Sequence, residues 1–169
     1  MKSYPSIDSL RVHQKSYPSI DGIRKVGNGF PVGEPCWSFY KYDGSNIRAE
    51  WSRKRGWYKF GTRKTMFDVN TPIWGQVISL WQEQLADSIE KVIRTNPRYK
   101  GTDSIVAFAE FFGENSFAGL HEESDQKFLK LIDVNVHKNG FVLPNQFVDD
   151  FDPEIRASLL YSGELSIEY

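Results

Sequence analysis

Lys41-Tyr42-Asp43-Gly44, followed by Ser45-Asn46, places one lysine two residues ahead of an Asp-Gly pair. A lysine amine becomes a nucleophile once it sheds its proton, and phosphorus is an electrophile it can attack. Phe39 and Tyr40, just ahead of it, predict partial desolvation, which disfavours the charged ammonium. The segment therefore suits attack on the α-phosphate of a nucleotide, with Gly44 letting backbone pass close to a phosphate or sugar. The residue types alone leave a second reading open, in which a strand ends in an Asp-Gly β-turn as in any hairpin.

Two further groups could join that lysine. Glu110 lies inside the apolar run Val106-Ala107-Phe108-Ala109-Glu110-Phe111-Phe112-Gly113, where a carboxylate buried without partners would be costly. Strand alternation puts Phe108, Glu110 and Phe112 on one face, so the carboxylate is expected to point into a polar site; a structural ion pair is the alternative. Asp133 has a similar apolar setting and reads equally well as structural. Arg63 follows the strand-like Phe60-Gly61-Thr62, which could aim it inward. It also belongs to a basic stretch, Arg48, Arg53, Lys54, Arg55, Lys59, Arg63 and Lys64, interleaved with Trp51, Trp57, Tyr58 and Phe60. Such interleaving suits phosphate contact with base stacking. For Arg53-Lys54-Arg55-Gly56 a solvated hairpin tip is the competing reading.

In this order the segments resemble the early motifs of the covalent nucleotidyltransferases, most closely the RNA ligases, over residues 34–151. Lys41 through Asn46 is similar to the nucleotidyl-lysine motif, and an Asn after Gly-Ser is spelled as in RNA ligases rather than in capping enzymes. The resemblance implies Lys41 as the nucleophile towards ATP, with Tyr40, Tyr42, Asp43 and Gly44 around the nucleotide. It implies Glu110 on the ribose, Ile132 in Leu131-Ile132-Asp133-Val134 behind the base, and Asn46, Arg63 and Lys64 on phosphate or RNA ends. Mg²⁺ would come in with the nucleotide. The family tends to place an aromatic where Ile132 stands.

Its last two nucleotide motifs, a Glu-Gly-aliphatic strand followed by a lysine and a Lys-x-Lys pair, have no counterpart after Phe151. The chain therefore reads as the front part of an adenylation domain, incomplete at the C-terminus. Such a domain would expose a sheet edge, and would self-associate or close it with Leu165 to Tyr169. A non-catalytic nucleotide- or RNA-binding module derived from a ligase is the second functional reading.

The rest of the sequence bounds these readings. A formal net charge of −1 gives no global field for nucleic acid, so any contact must be local. His13, His121 and His137 are scattered singly and no zinc-type spacing appears, so no protein-held metal is expected. The lone Cys36 excludes an internal disulfide, and no membrane-length apolar run exists, which fits a cytoplasmic, reducing compartment. Residues 2–8 recur as 15–21, a short duplication that sets off residues 1–22 from an adenylation domain over 23–169.

The elements that must position the site follow from periodicity. Strands are expected at Cys36 to Tyr42 and Asn46 to Trp51, as a hairpin across Asp43-Gly44-Ser45, with a third at Trp57 to Thr62. Thr71-Pro72 is expected to open a helix whose apolar residues, from Ile73 to Ile93, recur at helical spacing until Asn96-Pro97. Ser104 to Phe112 and Phe128 to Val136 read as buried strands, Pro144 to Phe151 as a short helix, and Asp152-Pro153-Glu154 as the cap of another running to Leu160. The class is α+β, and the resemblance implies an antiparallel-sheet nucleotidyltransferase core of ATP-grasp-like type.

Overall fold

The computed structural model describes residues 33–114, 116, 121, 122 and 124–166; the duplicated segment at 1–22 lies outside them. The chain divides into two compact units. The described part of the smaller is residues 33–38 with 159–166, and the larger is 39–158.

Period-two alternation builds the sheet of the larger unit. In β2 (Ser45–Ser52), Ile47, Ala49 and Trp51 are fully buried, whereas Asn46, Arg48 and Glu50 take the opposite face. β2 pairs antiparallel with β3 (Gly56–Thr62) and with β5 (Ser104–Phe112), and β5 pairs antiparallel with β6 (Phe128–Val136). Two-residue strands close the edges, β4 (Met66–Phe67) and β7 (Gly140–Phe141), giving the order β4-β3-β2-β5-β6-β7. Such short edge strands offer few unpaired backbone groups to another chain. The architecture is α+β with mostly antiparallel pairing.

The apolar face of this sheet is covered by α1 (Gly75–Trp81), a π-helical segment at Gln82–Ala86 and α2 (Asp87–Thr95) in continuous sequence. Val77, Trp81, Leu85, Ile89 and Ile93 are buried, one every fourth residue. In a regular α-helix each such step overshoots a full turn by about 40°, so the stripe would wind off the sheet. The wider π turn brings it back. The helix starts at Gly75, later than the Thr71-Pro72 signal, because residues 68–74 are committed to a turn: the Thr71 carbonyl accepts the Gly75 N–H at 2.8 Å, and Ile73 adopts φ 66°. Ile73 is consequently 43% exposed and outside the core stripe. Asp150, at the end of α3 (Pro144–Asp150), accepts Asn96 Nδ2 at 2.8 Å and the Tyr99 hydroxyl at 2.6 Å, which fixes the turn after α2.

Two expectations are corrected. The region from Asp152 to Leu160 is not a helix, since Leu131 in β6 takes its backbone groups: the Leu131 N–H donates to Ile155 O and the Ala157 N–H to Leu131 O, each at 2.8 Å. The chain then forms β8 (Leu159–Glu164), which pairs with β1 (Pro35–Phe39) as a separate two-stranded sheet. Leu165 lies just beyond β8, exchanging backbone hydrogen bonds with Gly33 (2.9 Å) and Glu34 (2.8 Å). The second correction concerns the proposed hairpin. β1 ends at Phe39, its partner is β8, and residues 40–43 belong to no strand. Asp43-Gly44 is therefore not a hairpin turn.

Candidate functional site

Lys41 stands on a short extended segment gripped on both sides. The Tyr40 N–H donates to the Ser158 carbonyl at 2.8 Å, and the Tyr42 hydroxyl lies 3.0 Å from Ser158 Oγ. The Tyr42 ring stacks on Phe112, with centroids 4.9 Å apart and planes 16° from parallel, and Tyr40 leans on Tyr42 at 4.8 Å. Phe112 in turn meets Phe128 edge-on. The aromatics ahead of the lysine do not enclose it as its sequence predicts: Phe39 turns to the core against Phe147, Tyr40 packs on Tyr42, and Lys41 is exposed. A pinned backbone with a free side chain lets the amine reach outward from a fixed origin.

After Asp43 the chain presses onto β5. A Cβ on Gly44 would lie 2.3 Å from the Phe111 carbonyl oxygen, so no larger residue fits. Glycine is required here for approach to the neighbouring strand. The Gly44 N–H then donates to the Glu110 carboxylate. Burial pushes the Glu110 carboxyl up from 4.5 to about 7, against the Gly44 hydrogen bond and the positive charges of Lys41 and Arg63, while Asp43 raises it further. The amine, the guanidinium and two carboxylates thus converge at one end of the sheet.

Register explains the convergence. Asn46 pairs with Glu110 across β2 and β5, and Glu110 pairs with Lys130 across β5 and β6. All three side chains rise from the face opposite the helices. Lys130 was not singled out from the sequence; its ammonium donates to the Glu154 carbonyl and it is not among the charges that act on Glu110. Arg63 and Lys64 follow Thr62 at the end of β3, in a turn where the Thr62 hydroxyl accepts the Lys64 N–H at 3.3 Å; both are exposed. Ile132 falls at the irregularity in β6: Ala109 pairs with Leu131 and Phe108 with Asp133, leaving Ile132 as the extra, half-buried residue of a bulge. Asp133 is buried, with Oδ1 accepting the Val134 N–H at 2.8 Å.

His121 is the residue sequence reasoning missed, as a lone histidine carries no signal of its own. Its Nε2 donates to the Asp43 carbonyl at 3.1 Å, and its Nδ1 lies 3.5 Å from Asp125 Oδ2. Phe112 was legible by alternation with Glu110 but not as the stacking partner of Tyr42.

The basic stretch splits in two. Arg53 Nε donates to the Thr102 carbonyl at 2.7 Å, the Arg55 guanidinium sits 3.6 Å from the Tyr58 ring centroid, and Lys59 lies 3.8 Å from Glu50 Oε2. Arg53 and Arg55 hold the far end of β2 and β3, roughly 23 Å along the strand from Asn46, and Lys59 lies opposite Glu50, roughly 13 Å along it, at the usual rise per residue. Arg48 is buried between the two ends, over Gly61, where an added Cβ would meet its Nε at 3.1 Å. Among the described residues no three His, Cys, Asp or Glu side chains cluster to hold a metal ion, and no helix is long and apolar enough to cross a membrane.

With this geometry in view, the fold is similar to that of solved RNA ligases. A lysine-to-alanine variant of Naegleria gruberi RNA ligase with ATP and Mn gives a TM-score of 0.59 at 14% identity, covering 97% of this chain and 45% of that one. An arginine-to-alanine variant with ATP and Mn gives 0.58 at 16%, covering 98% and 46%. A glutamate-to-alanine variant with AMP and Mn gives 0.56 at 14%, covering 87% and 41%. The chain spans less than half the length of these ligases. No family model and no curated protein matches it. The likeness shows a fold of the kind these RNA ligases have.

Proposed function

We propose that the chain is an RNA ligase-like adenylyltransferase domain in which Lys41 takes AMP from ATP and passes it to the 5′-phosphate end of an RNA. The observation that carries this reading is the convergence of Lys41, Arg63 and the Gly44 N–H on the half-buried Glu110. The likeness of the fold to RNA ligases that bind ATP or AMP with Mn supports it.

In this reaction the Lys41 amine, having given its proton to solvent, forms a nitrogen–phosphorus bond to the α-phosphate. The bond from that phosphorus to the bridging oxygen breaks, and pyrophosphate leaves. In-line displacement of this kind depends on placement and charge neutralisation. Arg63, Asn46 and Lys64 supply donors to the transferred phosphate or the RNA end; Glu110, once ionised, accepts from the ribose hydroxyls. Tyr40, Tyr42 and Ile132 offer the apolar surface for the base. Mg²⁺ would come in on the phosphates and neutralise the leaving pyrophosphate.

A second reading, a nucleotide- or RNA-binding module without transfer, is favoured by one observation: Lys41 is exposed, and the aromatics ahead of it pack on Phe147 and Tyr42 instead of enclosing it. Incubation with α-labelled ATP and Mg²⁺ separates the two. Protein-bound label that survives alkali, is released by acid as a phosphoramidate is, and appears with release of pyrophosphate supports transfer. Saturable binding without covalent label overturns it in favour of the module.

A further inference from the structure

The peptide group joining Asp43 to Gly44 is held at both poles. On one side its carbonyl oxygen accepts from His121 Nε2 at 3.1 Å. On the other its N–H donates to Glu110. The O and N–H of a trans peptide point in opposite directions, so the two contacts together fix its rotation about the chain axis. The plane is further pressed on β5, where Gly44 leaves no room above the Phe111 carbonyl. His121 is itself anchored: Asp125 Oδ2 lies 3.5 Å from Nδ1 and accepts the Glu122 N–H at 2.9 Å. A continuous chain runs from Asp125 through His121 and one peptide plane to Glu110, and that plane begins two residues after Lys41.

We propose that His121 is a positioning residue, which through the Asp43–Gly44 peptide holds the Glu110 carboxylate and the backbone origin of Lys41 in the arrangement that adenylyl transfer uses. This inference rests on the transfer reading for its functional part, while the clamp itself does not. Because a carbonyl only accepts, the Nε2 atom must carry hydrogen, and the side chain that best replaces it is one with a donor at similar reach. Glutamine meets that need without imidazole or charge.

The test compares the full chain with its His121→Ala, His121→Gln and Asp125→Asn variants by two readouts. The first is the ionisation midpoint of Glu110, followed by carbon-13 NMR of its carboxyl without nucleotide. Freed from His121, the peptide can turn, and Glu110 loses a donor that favours its charged form. The midpoint is expected to rise in His121→Ala and to return in His121→Gln; Asp125→Asn, which keeps Nε2 in place, is expected to give a smaller rise. An unchanged midpoint in His121→Ala overturns the proposal. So does His121→Gln behaving as His121→Ala, which would mark a charge effect acting through space. The second readout is the rate of covalent labelling at saturating ATP, expected to fall roughly tenfold in His121→Ala, the scale of one lost hydrogen bond, and to recover in His121→Gln. Equal labelling rates in all variants overturn the positioning role. If the unmutated chain takes no label, the transfer reading fails and the positioning role falls with it; the NMR result then decides whether the clamp stands.

Discussion

At one end of the β2–β3 pair, Arg53, Lys54 and Arg55 surround a turn; at the other, Arg63 and Lys64 follow Thr62 beside Asn46. Both ends are basic and both lie near aromatics. At the first, the charges are spent on the protein itself: Arg53 on the Thr102 carbonyl, Arg55 on the Tyr58 ring, Lys59 on Glu50. At the second, Arg63 and Lys41 act on a half-buried carboxylate whose own burial pushes it to about 7. Composition does not separate these ends. What separates them is which neighbouring strand delivers an ionisable group: β5 brings Glu110 to the Asn46 end and only Ser104 to the Ser52 end.

Substitutions can break or sharpen this contrast. The largest effect is expected at Lys41. Lys41→Ala and Lys41→Arg should both abolish covalent labelling, since a guanidinium stays protonated and cannot act as the nucleophile. Labelled Lys41→Arg protein would place the nucleophile elsewhere. Glycines at the two ends come next. Gly44→Ala forces a Cβ against the Phe111 carbonyl and should cost about 3 kcal/mol in denaturant unfolding, the upper range for overpacking. Gly56 has φ +66° with open space around it, so Gly56→Ala should cost only about 1 kcal/mol. Equal costs would remove the packing argument for Gly44.

Glu110 gives the pH dependence. Its carboxyl ionises near 4.5 when unfolded and near 7 when folded, so between these values the native state holds more protons than the unfolded one. The stability that Glu110 contributes should therefore be fully present below about 4.5 and be lost as pH rises through about 7, by on the order of 3 kcal/mol. Glu110→Gln should flatten that slope and raise stability at pH 8; a slope that persists in the variant contradicts the assignment. Arg63→Ala should then slow labelling roughly 10- to 100-fold, as for a lost charged hydrogen bond, with Arg53→Ala costing about 1 kcal/mol of stability and no labelling. The smallest effect belongs to Lys54→Ala at the tip, within roughly 0.5 kcal/mol of the unmutated chain and with its labelling intact.

Much of the larger unit was legible because its strands are long and alternate cleanly, as in Ser104–Phe112, where Ala107, Ala109 and Phe111 face the helix and Glu110 does not. The helix body was legible from Val77 to Ile93, though not its start or its π turn, which depend on the 68–74 turn and the sheet beneath. Legibility failed where a partner is distant in sequence. Glu154 to Leu160 has helical composition, yet Leu131 captures its backbone and β8 pairs with a strand from the other end of the chain. Asp43-Gly44 carries a strong local hairpin signal, and pairing of β2 with β5 overrides it. His121 reaches Asp43 across 78 positions, a contact that no spacing rule encodes.

The proposed function turns on Lys41 as the nucleophile that takes AMP from ATP. Its most direct measurement is incubation of the full chain with ATP and Mg²⁺, followed by proteolysis and mass spectrometry to locate any AMP adduct. The account predicts an adduct on the peptide that contains Lys41 and on no other lysine. An adduct elsewhere, or none while ATP is bound, contradicts it.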